Sequence, residues 1–256
     1  MDATLPVVTR EEIAAGLRRL GIAEGQEILL HSSLKSFGRV DGGADAVIDA
    51  FLDVLGPSGT LVCPTLTFRG FEATRPVFDS RTLPSETGLI TETLRRRPGA
   101  LRSLHPLSSV TAFGAAAEEL TAWHDDTPCG PGTPYWKLWE RGALVVFAGA
   151  TLKSNSLFHV AEEIASPPYL SYDYERDVQV IDRHGRTYVR TFRRYACSRL
   201  GIPRYLGKMH PVYQERGALR EGRIGNSRIL LLSARDSVNL AVEVLKANPE
   251  WITQAE

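Results

Sequence analysis

Two short apolar runs separated by one amphipathic helix constrain this chain most. Ile28–Leu29–Leu30–His31–Ser32–Ser33 reads as a strand, and its unbroken apolar start implies burial on both faces. The loop Leu34–Gly43 follows, then a helix from about Ala44 to Leu55 with Val47, Ile48, Phe51, Leu52 and Leu55 on one side. The turn Gly56–Pro57–Ser58–Gly59 leads into a second strand, Thr60–Thr65. Strand, loop, helix, strand is the signature of a parallel βαβ unit.

A third run of this kind, Ala143–Ala148, is bounded by Gly142 and Gly149. Behind it, Ser154–Asn155–Ser156 can cap a helix by accepting its first backbone N–H groups. His159 then falls in the first turn, and Glu162 and Glu163 lie three and four positions on, so either can share its face. A histidine held by a carboxylate at a strand end suits a general base, because the partner fixes its tautomer and tunes its pKa near neutrality. The same spacing also describes a surface helix with a solvated carboxylate and a half-buried histidine, which is the commoner outcome on spacing alone.

Around these runs the chain reads in order. Thr9 caps a helix with Ile13, Leu17 and Leu20 at helical spacing, ended by Gly21. Residues 67–86 have no period and form an irregular excursion over the open end of the sheet. A short helix over 87–95 is stopped by Pro98–Gly99, and residues 101–114 join a loop to a strand. Helices follow over about 115–122 and 135–141, with the loop Thr127–Pro134 between them. Val178–Ile181 and Thr187–Phe192 form a hairpin. Residues 217–220 and 222–225 resemble strand fragments, 227–232 a strand, and Ser233 caps a last helix with Val238, Ala241, Val242 and Leu245 inward. The expected fold is a single α/β domain over 1–256. Its mixed or parallel central sheet is flanked by helices, and a small antiparallel appendage covers about 176–226.

With 256 residues, 43% of them hydrophobic, the chain can bury a substantial core. Lys plus Arg and Asp plus Glu number 30 each, a balance that excludes a whole-surface nucleic-acid binder. Cys63, Cys129 and Cys197 form no CxxC pair, which fits a reducing compartment and no zinc site. The first residues lack the basic and apolar regions of a signal peptide, and no run reaches the roughly 20 apolar residues that span a bilayer. The expectation is a cytoplasmic protein with no membrane partner.

Four motifs then occur in a recognisable order: His31–Ser32–Ser33–Leu34–Lys35–Ser36–Phe37–Gly38; Pro84–Ser85–Glu86–Thr87–Gly88–Leu89–Ile90; Arg102–Ser103–Leu104–His105–Pro106 with Ser109–Val110; and Leu157–Phe158–His159–Val160–Ala161–Glu162. The chain resembles the aminoglycoside 3-N-acetyltransferases, the antibiotic N-acetyltransferase family distinct from the GNAT fold, over about residues 9–250. The resemblance implies acetyl transfer from acetyl-CoA to an amine, the 3-amino group of an aminoglycoside, with His159 as base and Glu162 behind it. It also implies that Ser32, Ser33, Leu34, Lys35, Phe37 and Gly38, with Arg102, Ser103, His105, Ser108, Ser109 and Val110, lie against CoA. The loop ahead of the helix at residue 44 exposes N–H groups that suit phosphate. A polycationic acceptor calls for acids, for which Asp79, Glu86 and Glu163 are the candidates, with Asp125, Asp126, Asp173 and Glu175 behind them. Lys153 beside the acceptor would repel such a polycation.

His105 either braces its loop, positions cofactor or takes part in catalysis. A non-aminoglycoside amine is one alternative acceptor. A Cys129/His thiol hydrolase is the reading from another class; the serine version lacks a GxSxG elbow. No HExxH or comparable pair calls for a metal. The expected partner is a small-molecule amine, with a homodimer left open.

Overall fold

The computed structural model describes residues 7–68, 71, 73–172 and 174–255. In chain order these form β1 (Val7–Val8), α1 (Arg10–Arg19), β2 (Glu27–Ser32), β3 (Arg39–Val40), α2 (Gly43–Leu55), β4 (Thr60–Pro64) and β5 (Val77–Asp79). Then come α3 (Leu89–Arg96), β6 (Leu101–Arg102), β7 (Val110–Gly114), α4 (Ala117–Thr121), α5 (Pro134–Arg141), β8 (Leu144–Ala148) and α6 (Phe158–Ala165). The chain closes with β9 (Tyr174–Ile181), β10 (Thr187–Arg194), α7 (Met209–Glu215), β11 (Arg220–Ile224), β12 (Ser227–Ser233) and α8 (Ala234–Ala247).

A seven-stranded sheet in the order β11-β12-β8-β2-β4-β7-β6 carries the molecule. Its centre, β8-β2-β4, is parallel, and the flanking strands run antiparallel. The βαβ unit is therefore β2-α2-β4. Alternate residues of the central strands feed opposite faces, as a pleated strand buried on both sides requires. Leu29, Val145 and Phe147 meet Leu138 of α5, Val160 of α6 and Val238 of α8 in one core. Ile28, Leu30 and Val146 meet Ile13 of α1, Phe51 of α2 and Ile90 of α3 in the other.

Local chemistry sets the helix ends. Thr9 and Glu12 form a reciprocal capping box at α1, and Ser233 caps α8 by accepting from Asp236 N–H. Pro134 opens α5, where its missing N–H would have had no partner.

Three expectations change. The fragments at 217–220 and 222–225 are one strand, β11, on the edge of the main sheet, so the appendage ends with β10. The excursion over 67–86, partly outside the described residues, supplies β5, which pairs parallel with β9; the appendage sheet β10-β9-β5 is thus mixed. It packs round Phe78, Val178, Val180 and Phe192. The polar cluster before α6 does not cap it as a group. Asn155 Oδ1 accepts from Leu157 N–H at 3.2 Å, whereas the Ser154 hydroxyl turns back to the Thr151 carbonyl at 2.8 Å. No side chain caps α6 at Leu157.

Candidate active site

The parallel strands end on two adjoining cavities, where ligands of open α/β sheets collect. The larger, about 410 Å³, is lined by His31 and Ser32 from β2, Pro64 from β4, Thr87, Thr91, and Lys153 to Ser156 after β8. The smaller, about 130 Å³, is lined by Ser108, Cys129, Tyr135, Arg194, Tyr195 and Arg204 among others. Leu66, Phe68, Ser156 and His159 belong to both, so His159 stands in the wall between them.

The first turn of α6 fixes that ring. His159 Nδ1 lies 2.5 Å from Glu162 Oε2, three residues on, and its side chain is 21% exposed while that of Glu162 is sealed. Glu162 Oε2 also accepts from Arg204 Nη1 at 3.2 Å, and Oε1 accepts from the Tyr169 hydroxyl at 2.9 Å. Burial alone would raise the Glu162 pKa. The charge that His159 carries when protonated and that of Arg204, with the hydrogen bonds from His159 and Tyr169, outweigh burial and hold it below the ordinary value. An ionised Glu162 therefore keeps the proton on Nδ1. Nε2 is engaged by no hydrogen bond among the described residues and presents its lone pair.

Glu163 differs from its neighbour. It accepts from the Tyr195 hydroxyl at 2.6 Å, and burial moves its pKa up. Of the two acids, Glu162 is the one that holds His159. Cys129 lines the smaller cavity, but its Sγ contacts the Ser156 carbonyl at 3.7 Å. Burial, reinforced by Glu163, pushes its thiol well above the ordinary value. A thiol so held lacks the thiolate character of a nucleophile, and among the described residues no hydrogen bond joins it to a histidine, so the thiol-hydrolase alternative has no support.

The other predicted residues divide. Ser32 lines the larger cavity and Ser108 the smaller. Ser33 gives its N–H to the Ala148 carbonyl at 2.9 Å, Leu34 packs against the α1–α2 core, and Phe37 is buried within it. Lys35 and Gly38 lie on the surface, lining neither cavity. In the segment 102–110 the other polar side chains are spent on the fold. Arg102 bonds the Leu83 and Thr65 carbonyls and the Ser109 hydroxyl, and Ser109 in turn donates to the Thr65 carbonyl. Ser103 bonds His124 and the Val110 N–H, and Val110 itself is core.

His105 Nδ1 accepts from the Leu107 and Ser108 N–H groups, and Nε2 donates to the Asp126 carbonyl at 3.3 Å. Burial pushes its pKa to about 3, so it braces the loop as a neutral ring. Among the candidate acids, Asp79 is held by Arg81 at 2.9 Å and Glu86 is exposed, and neither lines a cavity. Asp125 and Asp126 face Arg190 and Arg193, and Glu175 faces Arg193. Asp173 lies outside the described residues.

Sequence reasoning missed Arg204 and Tyr195, which come from distant segments, Tyr169, which follows α6 at no diagnostic spacing, and the cavity face of His31. Among the described residues no group of three or more His, Cys, Asp or Glu could hold a metal. Nor is any helix long and apolar enough to cross a membrane.

A carboxylate-held histidine thus stands at the carboxyl ends of the parallel strands, open to two cavities. A sequence model described as aminoglycoside 3-N-acetyltransferase matches residues 29–246, and the chain belongs to that family of acyltransferases. Aminoglycoside N(3)-acetyltransferase VII of Streptomyces paromomycinus is 37% identical over 192 residues, 68% of this chain and 67% of that one. Aminoglycoside N(3)-acetyltransferase VIII of Streptomyces fradiae is 32% identical over 270 residues, 94% and 92% of the two chains. The solved structure "AAC-IIIb binary with CoASH" superposes with a TM-score of 0.84 at 29% identity, covering 98% of this chain and all of that one.

Proposed function

We propose that this protein acetylates an amine at the expense of acetyl-CoA, with His159 as general base. The observation that carries the reading is the position of His159 in the wall shared by two cavities, with Glu162 fixing Nδ1 and Nε2 left to the reactants. The larger cavity fits the CoA arm. It opens at the strand ends, carries the Lys153 cation for phosphate, and is lined by the His31 ring. Lys153 then serves the cofactor side, while Arg194 and Arg204 on the smaller cavity disfavour a polycation there. The smaller cavity takes the acceptor, with Tyr195 and Arg204 on its wall.

Acetyl-CoA supplies an acyl group activated as a thioester. His159 Nε2 takes one proton from the acceptor nitrogen as the C–N bond forms. As the C–S bond breaks, the imidazolium returns that proton to the departing sulfur. Glu162 stabilises the transient imidazolium without itself being protonated. By relationship to the aminoglycoside acetyltransferases, the acceptor class tested first is the aminoglycosides, at the 3-amino group.

The test is thiol release from acetyl-CoA in the presence of an aminoglycoside panel and simple amines. Release with at least one acceptor is expected, and His159→Ala should lower kcat by about 10²-fold or more. Full turnover in His159→Ala would remove the general base, and CoA binding with no release on any amine would remove the enzyme reading.

A further inference from the structure

The floor of the larger cavity holds a polar side chain with no task in the fold. His31 is the fifth residue of β2, in register with Phe147 of β8. It stacks on the Phe147 ring with centroids 4.9 Å apart and planes 9° apart. The residue is 7% exposed, and what it exposes lines the cavity that His159 also lines. Nε2 is sealed and has no hydrogen-bond partner among the described residues. Nδ1 is not among the sealed atoms, and no hydrogen bond of the described residues engages it either.

A buried N–H without an acceptor is rarer and costlier than a buried acceptor without a donor. The proton therefore sits on Nδ1, the nitrogen that can reach the cavity. Burial pushes the ring's pKa to about 3, so it stays neutral over the working range and does not compete with His159 for the acceptor's proton. A neutral N–H held still by ring stacking is preorganised to meet a carbonyl oxygen. Of the carbonyls on the CoA arm, the thioester is the one that must reach the wall where His159 stands.

We propose that His31 donates a hydrogen bond from Nδ1 to the thioester carbonyl oxygen of acetyl-CoA and carries part of the negative charge that grows on that oxygen as the acceptor nitrogen attacks. This rests on the larger cavity being the seat of the acyl-CoA arm. It makes His31 a contributor to rate more than to cofactor affinity, because the charge it meets exists only on the way to product.

Two substitutions test it. His31→Phe keeps an aromatic ring against Phe147 and removes the donor. His31→Asn places an amide N–H near the position of Nδ1. The direct readout needs no acceptor: the carbonyl stretch of isotope-labelled acetyl-CoA bound to the whole protein. It should lie below the free value in the wild type, return towards the free value in His31→Phe, and fall again in His31→Asn. In turnover, His31→Phe should lose roughly 10²- to 10³-fold in kcat, the effect of removing one such donor. Its Kd for CoA should not change, its Tm should not drop, and His31→Asn should recover most of the rate.

A stretch in His31→Phe that stays at the lowered wild-type position overturns the proposal. So does a loss of CoA affinity that matches the loss of rate, which would place the contact elsewhere on the arm. Equal damage in both variants with a lowered Tm makes the residue structural and overturns it too. If acetyl-CoA binds with a shifted stretch but no amine is acetylated, the acceptor reading fails alone and His31 stands. If acetyl-CoA does not bind, both fall.

Discussion

At Glu162, one sealed carboxylate meets His159, Arg204 and Tyr169. Glu162→Gln keeps the shape but removes the charge that holds the proton on Nδ1, and it leaves Arg204 facing a neutral group. Turnover should fall by on the order of 10²-fold, with a stability loss of about 3 kcal/mol or more for the broken buried pair. Stopped assays and urea unfolding of the same sample check both. Tyr169→Phe removes one hydrogen bond to a charged group and should cost about 1.5–3 kcal/mol.

The two adjacent acids also make opposite pH predictions. The folded pKa of Glu162 is depressed, so its contribution to stability is present above the ordinary glutamate value of 4.5 and is lost as pH falls below it. The folded pKa of Glu163 is raised, so its contribution is present below 4.5 and is lost as pH rises through the folded value. Glu163→Gln should therefore gain on the wild type in unfolding free energy as pH rises from acid to neutral. A gap that widens in the other direction contradicts the burial of Glu163.

The pairing of His159 with a carboxylate one helical turn away was legible, because spacing on a helix is geometry. The choice of Glu162 over Glu163 was not. It is made by Arg204, 42 residues away in the chain, and by Tyr169, which lies beyond the end of α6 where helical spacing no longer applies.

Among the elements, the turn after β8 is packed tightly against the loop that follows β2. Gly149 has φ +71°, and a Cβ there would lie 1.6 Å from Ser36 Oγ and 2.9 Å from Ser227 Oγ. Ser36 and Ser227 are themselves hydrogen-bonded at 2.8 Å. Gly149→Ala must prise that contact open and should destabilise by at least about 1–2 kcal/mol from backbone strain alone. A Tm equal to wild type would show that the loop yields without cost.

The apolar runs at 28–30, 61–63 and 144–148 revealed the central sheet because strands buried on both faces need unbroken apolar sequence. The edge strands were harder. β11 is mostly exposed and interrupted by Gly222, so it read as fragments, and β6 is two residues long. The segment 102–110 shows a further limit. Its polar residues look like a ligand site in sequence, yet Arg102, Ser103, His105 and Ser109 spend their hydrogen bonds tying loops together.

For the whole molecule, the three cysteines are all buried. A thiol reagent should label none of them in the native state, and loss of activity should follow the rate of global unfolding. Rapid labelling of Cys129 with activity intact would show that the smaller cavity opens more readily than its packing implies. The placement of His159 in a partition also has a kinetic consequence. A ring that must touch nitrogen on one side while the acyl donor waits on the other has nothing to do until both compartments are filled. Initial-rate plots against either substrate should then intersect instead of running parallel, and no acylated protein should accumulate when the donor is supplied alone.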